Sequence, residues 1–309
     1  MFLIASALLV FLRVGMTQQA FAQNGIPSPD SVAAPAAVAT GKTCIDCHGA
    51  LVEKKIKHKT ETEKGCADCH TPTTAEHPTA KVTLEKNVPD LCLSCHEEQK
   101  DLIKTSAYVH SAMKEPKSCV ACHSPHSSAF KKLLVSSRKD LCLSCHNKAV
   151  VTKTKTTTNY EKLMKTSKTL HPPFEDCQKV CHSPHASNDS RLIDSPFPVN
   201  TYLAANPDSF GLCWECHGQD MIEKPKTKGA TEFRSGETNL HFTHVSGEKA
   251  RTCMICHDPH ATNTDHLIRE KVHFGRWDFN MNYAPDDSGG TCLPACHGQK
   301  RDTRIKAVE

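Results

Sequence analysis

The pattern of apolar and polar positions separates a short apolar start from a long, mixed remainder. Residues 1–12, MFLIASALLVFL, form an apolar run, and Ala20-Phe21-Ala22 offers a small-x-small cleavage site. The run is too short to cross a bilayer as a helix. The pattern predicts a signal peptide over residues 1–22, and hence an exported mature chain. A buried or interfacial apolar segment is the alternative.

Polar positions dominate the rest of the chain. Residues 23–42 are rich in Ala, Pro and Ser, which predicts a flexible leader. Short helices are predicted over 96–113 and 159–170, and the remainder is turn-rich. No later apolar run is long enough for a transmembrane segment. Residues 152–168, rich in Lys and Thr, predict a solvated connector, with docking to an acidic partner as the alternative.

Composition indicates that this chain needs more than a packed core. Of its 309 residues, 38% are hydrophobic and only 6% are aromatic. A chain with so few Phe, Leu and Ile cannot form a large core of its own. The 18 cysteines and 20 histidines indicate what holds it together instead.

Every cysteine belongs to a Cys-x-x-Cys-His or Cys-x-x-x-Cys-His motif, the signature of covalent haem attachment. Each thiol bonds one haem vinyl group, and the adjacent His coordinates the iron from one face. Nine motifs predict nine haem c groups. The two with the wider spacing, ending at His182 and His297, need a local bulge. The predicted attachment residues are Cys44, Cys47, Cys66, Cys69, Cys92, Cys95, Cys119, Cys122, Cys142, Cys145, Cys177, Cys181, Cys213, Cys216, Cys253, Cys256, Cys292 and Cys296. The predicted proximal iron ligands are His48, His70, His96, His123, His146, His182, His217, His257 and His297.

Zinc sites and disulfides are the competing interpretations of paired cysteines. Zinc ribbons use Cys-x-x-Cys pairs but do not require a His after each second Cys. Disulfide frameworks do not require it either, although export permits them. Here a His follows all nine pairs and no cysteine is left over, which favours haem.

The net charge looks basic but is misleading. The formal value is +4. Each haem brings two propionates, so nine haems make the loaded protein net negative. The basic residues therefore compensate propionates, and nucleic-acid binding is not expected.

The histidines outside the motifs reveal a repeat. One unit contains a first motif, a free His, a second motif and another free His. The units predict haem pairs within 43–80, 90–136, 140–194 and 211–268, and a ninth haem within 269–309. The free histidines are His58, His77, His110, His126, His171, His185, His241, His244, His260, His266 and His273.

Chain geometry restricts which haem some free histidines can reach. His126 follows His123 by three residues, which span at most about 10 Å. That is too short to pass around a porphyrin edge to the opposite face. The same holds for His185 and His260, so each is expected to reach a neighbouring haem. His241 and His244 are three residues apart, and one helical face can present both.

The pattern Leu-Cys-x-x-Cys-His followed by Cys-x-x-Cys-His-x-Pro-His, as at Leu91–His96 and Cys119–His126, resembles the doubled-CXXCH-motif multihaem cytochromes. Asn239–Val245 resembles a segment common in that family. In the first unit the immediate Pro-His is missing, and His77 substitutes for it. The resemblance implies a multihaem cytochrome c fold, mostly irregular with short α-helices and little or no β-sheet, packed around a chain of covalent haems. It also implies bis-histidine, low-potential haems with distal ligands His58, His77, His110, His126, His171, His185, His241, His244 and His260.

The expected function is electron transfer, because two imidazoles per iron leave no open position for a substrate. The resemblance implies a periplasmic or outer-surface location in anaerobic respiration or extracellular electron transfer. Its expected partners are other multihaem cytochromes, quinol-oxidising donors and an outer-membrane porin. The alternatives are a multihaem reductase of the nitrite or hydroxylamine type, with one open-site haem, and a subunit of a cytochrome filament. No catalytic residue is predicted.

Overall fold

The computed structural model describes residues 43–59, 65–71, 82–151, 156–175, 181–195, 197, 202–203 and 207–303. They belong to one of the two compact bodies of the chain, which comprises Thr43–Pro72 and Val82–Glu309. The predicted signal peptide (1–22) and leader (23–42) lie outside the described residues, as do the predicted ligand His77 and attachment residue Cys177.

The helices of the described residues are short, as the sequence predicts. Single 3₁₀ turns supplement them at several motifs, for example at Gly65–Asp68. The α-helices are α1 (Cys44–His48), α2 (Asp90–Leu93), α3 (Glu97–Thr105), α4 (Arg138–Leu143), α5 (Tyr160–Thr166), α6 (Pro172–Glu175), α7 (Gly211–Trp214), α8 (Asp220–Glu223), α9 (Leu240–Val245) and α10 (Cys253–Cys256).

Two of these helices are shorter than the sequence predicts. α3 ends at Thr105 and α5 at Thr166, although helices are predicted over 96–113 and 159–170. Ser106 and Ser167 take extended backbone angles, with ψ of 141° and 144°. The chain therefore leaves each helix early, because the next residues pair with another unit as strands.

The strands are mostly two residues long. They are β1 (Ile56–Lys57), β2 (His70–Thr71), β3 (Thr83–Leu84), β4 (Tyr108–Val109), β5 (Ser127–Ser128), β6 (Val150–Val151), β7 (Thr156–Thr157), β8 (Thr169–Leu170), β9 (Ala186–Ser187), β10 (Arg234–Ser235), β11 (Thr238–Asn239), β12 (Ala261–Thr262), β13 (Lys271–Phe274), β14 (Trp277–Asn280), β15 (Ala284–Asp286), β16 (Gly289–Cys292) and β17 (Lys300–Thr303).

Three two-stranded sheets join consecutive units at the same place. β1 pairs with β5, β4 with β9, and β8 with β12, all antiparallel. In each sheet, the strand just before a free His of one unit meets the strand just after a free His of the next. The backbone N–H of the first His donates to the carbonyl of the second at 2.9 Å, in the pairs His58–His126, His110–His185 and His171–His260. The units are therefore joined through the backbone of their free histidines.

The C-terminal part contains more β-structure than expected. A five-stranded sheet runs in the order β11-β10-β17-β16-β15, and β13 and β14 form a separate hairpin. The expectation of little or no β-sheet is wrong here. Glycines permit the close packing: a Cβ on Gly289 would lie 2.2 Å from the carbonyl oxygen of Asp302. β11 precedes His241 as β1 precedes His58, but it pairs with β10 of its own unit.

Apolar side chains supply little of the packing. No helix in the described stretches is long and apolar enough to cross a membrane. The described apolar residues that are buried are Phe174, Ala186, Ile193, Phe210, Val245, Ala250, Ala261, Val272 and Met281. All lie in the second half of the chain, so the protein core of the first two units is minimal, as the composition predicts.

Candidate haem-ligand site

The Cys-x-x-Cys-His motifs form single helical turns. The His backbone N–H donates to the carbonyl of the first Cys, at 3.0 Å for His96 and His146 and 2.9 Å for His123, His217 and His257. This turn brings the two thiols and the imidazole of a motif onto one short stretch of backbone. None of the 17 cysteines in the described part of the chain is in a disulfide. The free thiols fit the two thioether bonds that each motif predicts.

The wider motif at the end of the chain has a different backbone. Cys292 ends β16 rather than starting a helix, and the N–H of His297 donates to Pro294 at 3.3 Å. The extra residue is therefore accommodated by a turn, and His297 still follows Cys296 directly. The other wide motif includes Cys177, which lies outside the described residues.

Eight motif histidines each face one free histidine. The ring centroids lie 6.0–6.4 Å apart, and most of the rings are close to parallel. Two imidazoles on one metal, each about 2.0 Å from it through nitrogen, have centroids roughly 6.3 Å apart. The pairs are His96–His58, His70–His126, His146–His110, His123–His185, His217–His171, His182–His260, His257–His241 and His297–His244. The spacing fits a bis-imidazole haem iron at each.

In each of the first three units, the first free His faces a motif of the next unit. His58 of the first unit lies 6.2 Å from His96 of the second. The same forward relation holds for His110 with His146 and for His171 with His217. In the last unit, His244 faces His297 of the ninth motif at 6.3 Å.

The second free His of a unit faces the preceding unit. His126 lies 6.1 Å from His70, His185 lies 6.0 Å from His123, and His260 lies 6.2 Å from His182. None of the three faces the motif His that precedes it by three residues. This arrangement is the one that the short connection requires.

The remaining histidines do not follow this relation. His241 faces His257 of its own unit. Nδ1 of His273 is hydrogen-bonded to the exposed carboxylate of Asp278, and the centroid of the His266 ring lies 6.5 Å from that of Tyr283. His48 lies within the described residues, whereas the predicted ligand His77 does not.

Backbone carbonyls orient three motif histidines. The Nδ1–H groups of His123, His182 and His257 donate to the carbonyls of the residues nine positions later, Lys132, Arg191 and His266, at 2.7, 3.0 and 2.9 Å. This bond leaves Nε2 free for the metal and increases the basicity of the ligand. Each carbonyl belongs to a residue with left-handed φ, 60°, 62° and 56° respectively. The sequence predicts no role for these three residues, although each is followed by a Leu, which is a shared signal.

Helix α9 presents two histidines to two different motifs. Thr231 Oγ1 lies 2.7 Å from Nδ1 of His241, and His244 Nδ1–H donates to Leu240 at 2.7 Å. Burial, together with the nearby His257 and His244, lowers the pKa of His241 to about 4. His241 is therefore neutral at pH 7, as an iron ligand must be.

Asn239 stabilises α9, and its replacement is expected to lower the free energy of unfolding. Its side chain is fully buried, accepts from the N–H of Phe242, and donates to Met221 and Lys224. Asn239→Ala removes this cap and leaves two carbonyls unpaired, so we expect the free energy of unfolding to fall by about 3 kcal/mol. Asn159→Ala removes only the cap of α5 and should cost about 1 kcal/mol. Denaturant unfolding of the two variants checks this, and equal losses would contradict it.

Neighbouring attachment thiols connect consecutive motifs, apart from the fifth and the sixth, and Cys177 of the sixth lies outside the described residues. Within units, burial and the Cys119 thiol raise the pKa of Cys92 to about 11, and a hydrogen bond with Cys253 raises the pKa of Cys213. Between units, burial and the Cys145 thiol raise the pKa of Cys122. The same neighbour relations, each between consecutive motifs, link Cys44 with Cys66, Cys69 with Cys95, Cys181 with Cys216, and Cys256 with Cys292.

Comparison with known proteins agrees with this geometry. The family model of the doubled CXXCH motif matches residues 58–101, 110–151 and 171–222. The chain is 22% identical over 220 residues to the multihaem cytochrome MtrA of Shewanella baltica, covering 68% of this chain and 56% of that protein. It is 29% identical over 148 residues to the cytochrome c-type protein NrfH of Wolinella succinogenes, covering 48% of this chain and 76% of that protein.

The paired imidazoles and the free thiols define a protein that binds haem covalently. The matched family and both relatives agree with that class. This chain belongs to the multihaem c-type cytochromes that carry the doubled CXXCH motif.

Proposed function

We propose that this chain carries nine haem c groups and passes electrons along them in motif order. The observation that carries the proposal is the set of eight imidazole pairs, each with one motif His and one free His at 6.0–6.4 Å. The nine predicted cysteine pairs serve as attachment points. The ninth ligand pair is proposed to be His48 with His77.

Bound haem supplies one-electron chemistry at the iron. The chain holds the iron from both faces, so it leaves no coordination position for a substrate at the eight described pairs. It orients the imidazoles through backbone carbonyls and brings consecutive attachment points together. These features favour electron transfer over a nitrite or hydroxylamine reductase, which needs an open-site haem. A filament subunit uses the same chain of haems, and electron microscopy of the purified protein distinguishes it.

We propose that the protein works outside the cytoplasm. The apolar start of the sequence supports export, and covalent haem attachment is compatible with it. The proposed location is the periplasm or the outer surface, in anaerobic respiration or extracellular electron transfer. The proposed partners are other multihaem cytochromes, a quinol-oxidising donor and an outer-membrane porin.

A spectroscopic redox titration with haem quantification on the mature protein tests the proposal. We expect nine haems per chain, all low-spin in the oxidised state, because each iron has two imidazole ligands. Low potentials are expected, since no described pair contains a Met ligand. A high-spin ferric signal together with nitrite or hydroxylamine turnover would favour the reductase instead.

A further inference from the structure

The second, third and fourth units have the same loop after their second motif, but this loop contains an ion pair only in the fourth unit. In each of these units, the residue that follows the His of the second motif donates its N–H to the carbonyl of a Leu nine positions later. The donors are Ser124 at 2.7 Å, Ser183 at 2.8 Å and Asp258 at 2.9 Å. The residue eleven positions after each of these donors also donates its N–H, to the carbonyl of the second Cys of the same motif. These residues are Val135 at 3.0 Å, Asp194 at 3.1 Å and Arg269 at 2.7 Å. The three loops therefore correspond residue for residue.

In the fourth unit the two corresponding positions carry opposite charges. Arg269 lies 3.0 Å from the Asp258 carboxylate, and both side chains are only 25% exposed. The Arg269 side chain also donates to the carbonyls of Met254 and His257, at 2.8 and 3.0 Å. The guanidinium is therefore held to the backbone of its own motif.

The carboxylate is directed toward a free histidine. Asp258 Oδ1 accepts from the N–H of His260 at 3.0 Å and lies 3.6 Å from Nδ1 of its ring. Tyr160 and Phe174 pack on that ring at centroid distances of 5.0 and 5.1 Å. Their carbon atoms cover part of the ring, whose side chain is 28% exposed, so the charge acts on the imidazole with less screening than at an open surface. The corresponding histidines, His126 and His185, have a neutral serine in place of Asp258.

We propose that Asp258 lowers the reduction potential of the haem held by His182 and His260, and that Arg269 limits this effect. The proposal rests on the proposed function, since it requires His260 to be an iron ligand. A negative charge beside the ligand stabilises the ferric state, which carries one more positive charge than the ferrous state. Arg269 partly cancels the charge but is bonded to backbone carbonyls rather than to the imidazole. This haem is therefore lower in potential than the corresponding haems at His70–His126 and His123–His185.

Substitutions at the two positions give shifts of opposite sign. Asp258→Ser, which restores the residue of the other units, raises the potential of one haem. Arg269→Val leaves the carboxylate unopposed and lowers it. The double variant shifts upward by less than Asp258→Ser alone, because Asp258 is nearer to the imidazole. Ser124→Asp places a carboxylate beside His126 and lowers the potential of the His70–His126 haem.

A full redox titration measures these shifts even though the haem signals overlap. The area between the reduction curves of variant and wild type equals the summed shift of all haems. Arg269→Lys keeps the charge and is expected to leave the area near zero, which separates charge from packing. No upward shift in Asp258→Ser, or shifts of the same sign in Asp258→Ser and Arg269→Val, would overturn the proposal.

The same samples separate failure of this inference from failure of the proposed function. Haem quantification and the low-spin ferric signal of the wild type report on the nine bis-histidine haems directly. A short haem count or a high-spin wild type refutes the proposed function. Intact haems with an unmoved titration curve in Asp258→Ser refute only the role of Asp258.

Discussion

His110→Ala is expected to convert one haem per chain from low spin to high spin, and the affected haem is the one attached at Cys142 and Cys145. His110 lies between the third and fourth motifs in sequence, yet its ring faces His146 of the fifth motif at 6.4 Å. Its loss leaves that iron with a single imidazole. The ferric electron paramagnetic resonance spectrum of the oxidised protein measures the change.

Combined variants identify which haem loses its ligand. In a chain that also carries Cys142→Ala and Cys145→Ala, His110→Ala should produce no high-spin signal, because the haem concerned is missing. In a chain with Cys119→Ala and Cys122→Ala, the signal should still appear. His273→Ala is the control, since His273 is exposed and pairs with Asp278. The reverse dependence on the two cysteine pairs would show that His110 serves the adjacent fourth motif.

Removing the haem at Cys142 and Cys145 is expected to divide the chain of haems into two parts. Its attachment point adjoins the preceding one, as Cys145 lies beside Cys122. On the other side Tyr160 lies between His146 and His260, at centroid distances of 6.0 and 5.0 Å. Loss of this haem leaves a gap of one haem in the middle, and electron passage across it should fall by orders of magnitude.

Voltammetry of a dilute monolayer, attached through the N-terminal end, measures this effect. In the Cys142→Ala, Cys145→Ala variant, the haems of the first four motifs should respond at the wild-type rate. The later haems should respond only at slow scan rates. The matched control, Cys292→Ala with Cys296→Ala, removes the terminal haem and should leave all remaining haems at the wild-type rate. A uniform fast response in the divided chain would contradict a linear order.

The cysteine and histidine pattern predicted the class of protein and the candidate ligands, because haem attachment is encoded locally in five or six residues. It did not predict which free His faces which motif, apart from excluding His126, His185 and His260 from their own haems. Those partners depend on strand pairing between units, as at Ile56–Lys57 with Ser127–Ser128. Two-residue strands of ordinary composition give no sequence signal for such pairing.

Two further features could not be predicted from the sequence, for physical reasons. The carbonyls of Lys132, Arg191 and His266 act through the backbone, so three different side chains serve the same role and only the Leu that follows each is shared. The five-stranded sheet contains β10 and β11 together with residues 284–303, and the latter segment does not repeat the unit. Its strand pairs include Gly289 and Gly290, which are typical turn residues and do not favour strands.

The reciprocal exchange of histidines between units has a consequence for how such a protein can change in length. Each internal unit gives one imidazole forward and one backward, and receives one from each side. A duplicated internal unit therefore finds a matching imidazole partner at both junctions. Loss of half a unit instead leaves histidines of the neighbouring units without their partner imidazoles. Growth by whole units leaves the special arrangement around His241 and His244 untouched at the end. The haem number of such an array should accordingly vary in steps of two, with the terminal odd haem retained.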